Sequence, residues 1–357
     1  MPRPLSIEEP GHREAARFAL FDYGFRIFFL LAGLYAALGV ALWLPVFLGL
    51  LPLPIAVSPT LWHAHEMIFG FAAAGVAGFF LTAVPNWTGA PALRGAPLMA
   101  LAASWLLARV AMLAIGWAPP WLPAVLDLAF LPALAAAIAG PLRRSGTKRN
   151  LVLLAVLAAL WAADLAMQLD FLGVLPEGGR RGARVGIDVL LLLITVIGGR
   201  IVPAFTTSAL RANDPALAAR SFAPLDRATI LAMVLLAASE AATGLGLQGA
   251  SAFVEAIPGT AALHALTLGA IATMLVAVMS RAALGHTGRP LKAHPATVSA
   301  YVLLSLAAVL RVAAPFMPQV FLPLLVLAAA VWSLAFLLFL SVYAPILTAP
   351  RADGKPG

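Results

Sequence analysis

About ten apolar runs of roughly 20 residues follow one another along this chain, and they limit its fold more than any other feature. A run of that length crosses the hydrocarbon core of a bilayer as a helix. The runs are rich in Leu and Ala and do not alternate between polar and apolar residues, which favours helices over barrel strands. With 62% hydrophobic and 11% charged residues, the sequence predicts an all-α, polytopic transmembrane helical bundle.

Gly, Pro and charged residues separate the predicted spans. We expect a single transmembrane domain over residues 24–344, between an N-terminal tail (1–23) and a C-terminal tail (345–357). The N-terminal tail lacks a small-residue cleavage pattern, so we expect no removable signal peptide. Residues 248–263 are only mildly apolar and suit a loop, an interfacial helix or a re-entrant segment. The predicted spans are 24–49, 62–84, 96–117, 120–141, 150–171, 184–206, 227–247, 260–281, 296–314 and 319–344.

The distribution of Lys and Arg predicts the orientation of the bundle, because basic residues collect in cytoplasmic loops. With both termini in the cytoplasm, sixteen of the 23 basic residues lie inside. The net charge of +8 is therefore explained by membrane topology. The basic residues are scattered without aromatic neighbours, so we expect no nucleic-acid partner. The remaining basic residues lie outside (Arg180, Arg181, Arg184) or within spans (Arg26, Arg109, Arg200, Arg311).

The second predicted span begins with two histidines and a glutamate, His63, His65 and Glu66. Ionisable side chains are costly at membrane depth, and such a cluster indicates a functional site. At 100° per residue, His63 and Glu66 share a helix face, whereas the two histidines point about 160° apart. Either the histidines serve different ligands, or the first turn of the helix is irregular. Imidazole binds copper, haem iron and zinc; the alternative is a hydrogen bond at the membrane interface.

A second candidate stretch opens the eighth predicted span with His264 and ends in the loop Gly285–Leu291. The chain has no cysteine, which excludes thiolate metal sites and covalent haem attachment. His264 is accordingly a candidate ligand for haem or copper. His286 suits three roles: a second ligand, a donor to a phosphate or haem propionate, or a cap within the loop.

Charged residues inside other spans complete the set of candidates. Gly198 and Gly199 permit a bend that turns Arg200 toward an anionic group such as a haem propionate. The alternative for Arg200 is an extension of its side chain to the inner headgroups. Four acidic residues are expected to pair with Arg109 or Arg311, or to carry protons. They are Asp127, Asp164, Asp188 and Glu240.

Four segments of the chain resemble the NnrS family. They are LWHAHEMIFGFAAAGVAGFFLTAVPNWTG, GGRIVPAFT, HALTLGAIATMLVAVMSRAALGHTGRPL and the closing YAPILTAPRADGKPG. The resemblance implies a multi-pass protein of the bacterial inner membrane that binds haem and copper. It also implies a role in denitrification and in protection against nitric oxide or a species derived from it. The reaction and the electron donor are left open. The family's histidine motifs fall on His63, His65, His264 and His286.

The resemblance implies an arrangement in which haem lies between His264 and either His63 or His65, on two facing helices. Copper would take the remaining imidazole with help from Glu66. Arg200 would reach a propionate only if the haem extends into the inner half of the membrane. Members of the family usually have about twelve spans, and here the region Ala228–Leu263 is short and has no histidine. This departure predicts one metal centre rather than two, or a defective protein.

A different class of function is also compatible with these residues. A transporter or permease for a small metal complex or metabolite would use the histidines and buried acids as a substrate or proton site. No inverted repeat and no pair of matching broken helices supports that reading. A sensor or assembly subunit is a third possibility. In each case the lipid bilayer is the immediate partner.

Overall fold

The computed structural model describes residues 18–52, 57–146, 148–211 and 258–355. Within these residues, nine helices are long and apolar enough to cross a membrane, which confirms the predicted fold class. The predicted span 227–247 and Glu240 lie outside the described residues. The helices are α1 (Gly24–Phe47), α2 (Pro59–Thr88), α3 (Ala96–Leu113), α4 (Trp121–Arg144), α5 (Val152–Phe171), α6 (Gly178–Arg211), α7 (Gly259–His286), α8 (Pro295–Ala313) and α9 (Phe321–Thr348).

Helix α2 lies at the centre of the described bundle, and its apolar residues are buried along nearly the whole helix. It contacts α1, α3, α4, α6 and α7, and α1 in turn packs along α9. Small residues on α2 allow the close approach of α1. A Cβ added at Gly78 would lie 2.6 Å from the ring of Phe29 in α1. The candidate residues at the start of α2 are therefore carried by the most enclosed helix of the described bundle.

Helices α5 and α6 pack closely along a row of glycines at every fourth position of α6, namely Gly178, Gly182 and Gly186. A side chain at Gly182 would clash with the carbonyl oxygen of Ala163 and lie 2.7 Å from Cγ of Met167, both in α5. Glycine spacing of this kind brings helix backbones together in membranes. The close packing fixes the position of α5, which carries two buried polar residues of the site described below.

The ends of the described chain meet at one end of the bundle, where the backbone N–H of Ala19 donates to the carbonyl of Thr348 (2.9 Å). Buried Arg26 donates to the carbonyls of Leu347 (3.0 Å) and Ala349 (2.7 Å) at the C-terminus of α9. A cation at this position satisfies terminal carbonyls and complements the helix dipole. Which face of the membrane this end occupies stays a prediction.

The closing sequence motif folds back onto the end of α7. Arg351 donates to the carbonyl of His286 (2.8 Å) and pairs with the carboxylate of Asp353. The hydrogen bonds from the Arg351 guanidinium hold the pKa of Asp353 well below its usual range. The C-terminal segment thus contacts the loop that contains His286 and forms no part of the candidate site at the other end of α7.

Candidate metal sites at the start of α2

His63 and His65 lie in a regular α-helical turn and face different surroundings, and α2 becomes irregular only after them. An α-helical segment, Pro59–His65, passes into a π-helical segment, Glu66–Ala72, before α-helix resumes at Ala73. Short π-helical segments are frequent at functional sites. The indole N–H of Trp105 in α3 donates to the carbonyl of Gly70 within the π-helical segment (3.1 Å). That bond stabilises the irregular segment from a neighbouring helix.

His65 lies in a fully buried polar cluster between α2, α4 and α5. Its Nδ1 lies 2.8 Å from Oε1 of Glu66. On the other side of the ring, Nε2 lies 2.8 Å from Oδ2 of Asp127 and 3.1 Å from Oδ1 of Asp164. The side-chain amide nitrogen of Gln168 lies 2.7 Å from the same oxygen of Asp127. The imidazole is consequently surrounded by three carboxylates.

Arg109 and Tyr35 also belong to this cluster and contact its carboxylates. The Arg109 guanidinium donates to Glu66 (2.8 Å) and pairs with Asp127, so the predicted pairing of Arg109 with a buried acid is confirmed. The Tyr35 hydroxyl donates to the other oxygen of Glu66. With three carboxylates against one guanidinium, the cluster carries excess negative charge if His65 is neutral. Buried excess charge is costly unless a proton or a metal ion balances it.

His63 points away from His65, as the helical spacing predicted, and faces a separate cavity. Its ring stacks on the indole of Trp43 with ring centroids 4.3 Å apart. Its Nδ1 is buried and has no hydrogen-bond partner within the part of the chain that the structure describes. His264 of α7 and Arg311 of α8 line the same cavity, which has a volume of about 130 Å³ and largely apolar walls. Two imidazoles from facing helices therefore share one space.

The orientation of His264 is set by its own helix. Its Nδ1 lies 2.7 Å from the carbonyl oxygen of Thr260, one turn earlier. A carbonyl only accepts, so Nδ1 carries the proton and Nε2 keeps a lone pair for a ligand. A π-helical segment, Ala265–Ala272, follows directly, as one follows His65 in α2. The guanidinium of Arg311 has a buried nitrogen, Nη1, for which the described ranges offer no partner.

At the start of α2 the structure separates the sequence candidates into two groups, and it places His286 at the far end of α7. His63 faces His264, whereas His65 and Glu66 belong to the carboxylate cluster. His286 ends α7, and 22 residues at 1.5 Å per residue place it about 33 Å from His264. It lines a different cavity of about 320 Å³. The side chain of Arg200 lies outside the described residues.

Asp127 and Asp164 were predicted from the sequence as acids that pair with Arg109 or Arg311 or carry protons, but not as neighbours of His65. Gln168 had no predicted role. One usable signal was present, since Asp164 and Gln168 are four residues apart and share a face of α5. Nothing in the sequence indicated that this face meets His65.

A methyl group added at Gly70 should disturb the cluster, because its Cβ would lie 2.5 Å from the Tyr35 ring and 3.2 Å from Nη1 of Arg109. We expect G70A to destabilise the protein by about 1–3 kcal/mol, as overpacking does. The measurement is thermal unfolding of detergent-purified protein. Gly269 provides the matched control, because it also lies five residues after a histidine in a π-helical segment and no described residue lies within 4 Å of its added Cβ. G269A as damaging as G70A would contradict this packing.

Fold and site together define a polytopic helical membrane protein with polar side chains and paired imidazoles enclosed at one end of the bundle. Comparison with known families shows to which family of membrane proteins the chain belongs. The model of the NnrS protein family matches residues 19–244 and 240–351, and the chain belongs to that family. The resemblance predicted from the sequence is thereby confirmed. No curated protein and no solved structure matches the chain.

Proposed function

We propose that this protein binds copper and haem in the bacterial inner membrane and acts in the cell's response to nitric oxide. Membership of the NnrS family supports a membrane protein related to the nitric oxide response. The observation that carries the metal proposal is the buried Nδ1 of His63, which has no partner among the described residues and lies in the same cavity as His264. Buried polar atoms are rarely left without a partner, so an unpaired imidazole nitrogen indicates a ligand.

The donor set of this cavity fits copper. Imidazole nitrogens are good copper ligands, and no thiolate is available in the chain. The volume of about 130 Å³ compares with the roughly 150 Å³ cavity that binds benzene in an engineered protein. A metal ion with a diatomic ligand fits this space. Copper there would supply one-electron chemistry and a binding site for small ligands.

The protein's own residues would prepare this site in three ways. Trp43 stacks on His63 and restricts rotation of its ring. The Thr260 carbonyl fixes the His264 tautomer that leaves Nε2 available. Arg311 places a cationic group in the same cavity, where it would attract an anionic ligand. The largely apolar walls lower the local polarity, which strengthens each of these interactions.

Haem does not fit between His63 and His264, since a porphyrin is several times larger than benzene. The cavity of about 320 Å³ at the opposite end of α7 has donor chemistry better suited to it. Its lining includes the His286 imidazole, which would bind the haem iron, and the Arg281 guanidinium, which would contact a propionate. Phe29, Phe79 and Trp87 form aromatic walls. We therefore assign haem to His286 within this proposal and copper to His63 and His264.

The test is metal analysis and visible spectroscopy of detergent-purified protein from copper- and haem-replete cells. We expect about one copper per chain, lost in H63A and H264A but retained in H286A. A Soret band should be lost in H286A and retained in the other two variants. Each variant is thus the control for the other cofactor. Wild-type protein without copper, iron or colour would refute the proposal and favour the transporter.

A further inference from the structure

A second metal site, separate from the cavity of His63 and His264, is built into the carboxylate cluster around His65. Three donor atoms converge there from three helices: Nε2 of His65, a carboxylate oxygen of Asp127 and a carboxylate oxygen of Asp164. All three lie within 4.8 Å of one another, and all three side chains are buried. We propose that His65, Asp127 and Asp164 bind a divalent first-row metal ion such as Mn²⁺, Fe²⁺ or Zn²⁺.

The two distances from the imidazole to the carboxylates are close to those around a bound ion, one within the expected range and one about 0.2 Å shorter. Nε2 of His65 lies 2.8 Å from Asp127 and 3.1 Å from Asp164. Two ligands at about 2.1 Å from a metal, separated by 90–110°, lie roughly 3.0–3.4 Å apart. The three side chains are already placed as neighbouring ligands of one ion, and binding would need only small shifts.

The acceptors around His65 also leave room for a cation between these atoms. Nδ1 of His65 faces an oxygen of Glu66, to which it donates. In the neutral ring, Nε2 then carries a lone pair that faces two carboxylate oxygens, which are acceptors as well. Acceptors that converge on one point in a dry interior need either a proton or a metal ion between them. A divalent ion would also cancel the net charge of −2 left by three carboxylates and one guanidinium.

Neighbouring residues form hydrogen bonds and ion pairs with the three donor residues, as residues around a metal site normally do. A histidine that binds a metal usually donates its other N–H to a carboxylate, and Glu66 has that position behind His65. Glu66 is itself held by Arg109 and Tyr35. Gln168 contacts both His65 (3.1 Å) and Asp127 (2.7 Å) through its amide nitrogen. The donors are thus fixed before any ion binds.

The donor set distinguishes this site from the copper cavity. Two carboxylates with one imidazole favour ions that accept oxygen ligands, whereas two imidazoles without carboxylates suit copper. His63 and His65 point to opposite sides of α2, so the two sites are separate and each is tested independently. The chain would then hold two metal centres at this end of the bundle in spite of its short 228–263 region.

The test uses full-length, detergent-purified protein stripped with a chelator and titrated with Mn²⁺, followed by electron paramagnetic resonance and metal analysis. We expect about one Mn²⁺ per wild-type chain and at least tenfold weaker binding in D164N. Asp164 pairs with His65, whereas Arg109 pairs with Glu66 and Asp127. D164N therefore preserves both ion pairs of Arg109. D170N, one and a half turns further along α5, is the matched control and should bind Mn²⁺ like the wild type.

H63A adds the control that separates this site from the copper cavity, because it should lose copper and keep Mn²⁺. Thermal unfolding of metal-free D164N shows whether the variant is folded. Wild-type protein that binds none of Mn²⁺, Fe²⁺ and Zn²⁺ would overturn the proposal and leave a protonated His65 as the balancing cation. Equal Mn²⁺ binding by folded D164N and wild type would overturn it as well.

Discussion

Replacing Arg109 with methionine should prevent accumulation of folded protein. Methionine keeps most of the side-chain length but removes the cation that pairs with Glu66 and Asp127. These acids and Asp164 are each at most 2% exposed, so water cannot take over the role of the guanidinium. Removing one partner of a buried ion pair costs about 3–5 kcal/mol. The measurement is the yield of monodisperse protein in detergent, together with its unfolding temperature.

The control for R109M is R180M, because Arg180 forms an exposed pair with Glu177 (3.1 Å) at the start of α6. An exposed pair contributes at most about 1 kcal/mol, so R180M should behave like the wild type. The double variant R109M/E66Q should recover part of the lost yield, since it removes one uncompensated carboxylate. R109M protein as stable as the wild type would show that the carboxylates of the cluster are not ionised.

Replacing Gly182 with leucine should separate α5 from α6. We expect it to lower the free energy of unfolding by about 1–3 kcal/mol or more, since 1–3 kcal/mol is the usual cost of overpacking. The new side chain would meet the Ala163 carbonyl and the Met167 side chain. Backbone atoms cannot move aside as a flexible side chain can, so the helices themselves must shift. Asp164 and Gln168 move with α5, and G182L should therefore also weaken Mn²⁺ binding at the cluster.

Gly198 in the same helix offers the matched control for this variant. Among the described residues, a Cβ at Gly198 would meet nothing within 4 Å, and G198L should retain both stability and Mn²⁺ binding. Thermal unfolding and the Mn²⁺ titration described above provide both measurements. The packing of α5 on α6 is contradicted if G182L and G198L have the same unfolding temperature.

The sequence determined the class of this protein and part of its chemistry. Apolar runs of bilayer length predict membrane helices because no water is available there to bond to exposed backbone. The family followed from long motifs around His63 and His264. Helical geometry also predicted that His63 and His65 point to opposite sides of a regular helix and there serve different ligands.

Only the tertiary structure decided which residues meet. Asp127 and Asp164 are 62 and 99 residues from His65 along the chain, yet they contact one ring nitrogen. In a membrane bundle, lipid-facing and protein-facing surfaces are both apolar, so the sequence does not show which side of α4 or α5 packs against α2. The π-helical segments were equally hidden, because their backbone shift is stabilised by neighbouring helices, as by Trp105 at Gly70. Helix packing therefore brings the donors together, and local sequence does not encode it.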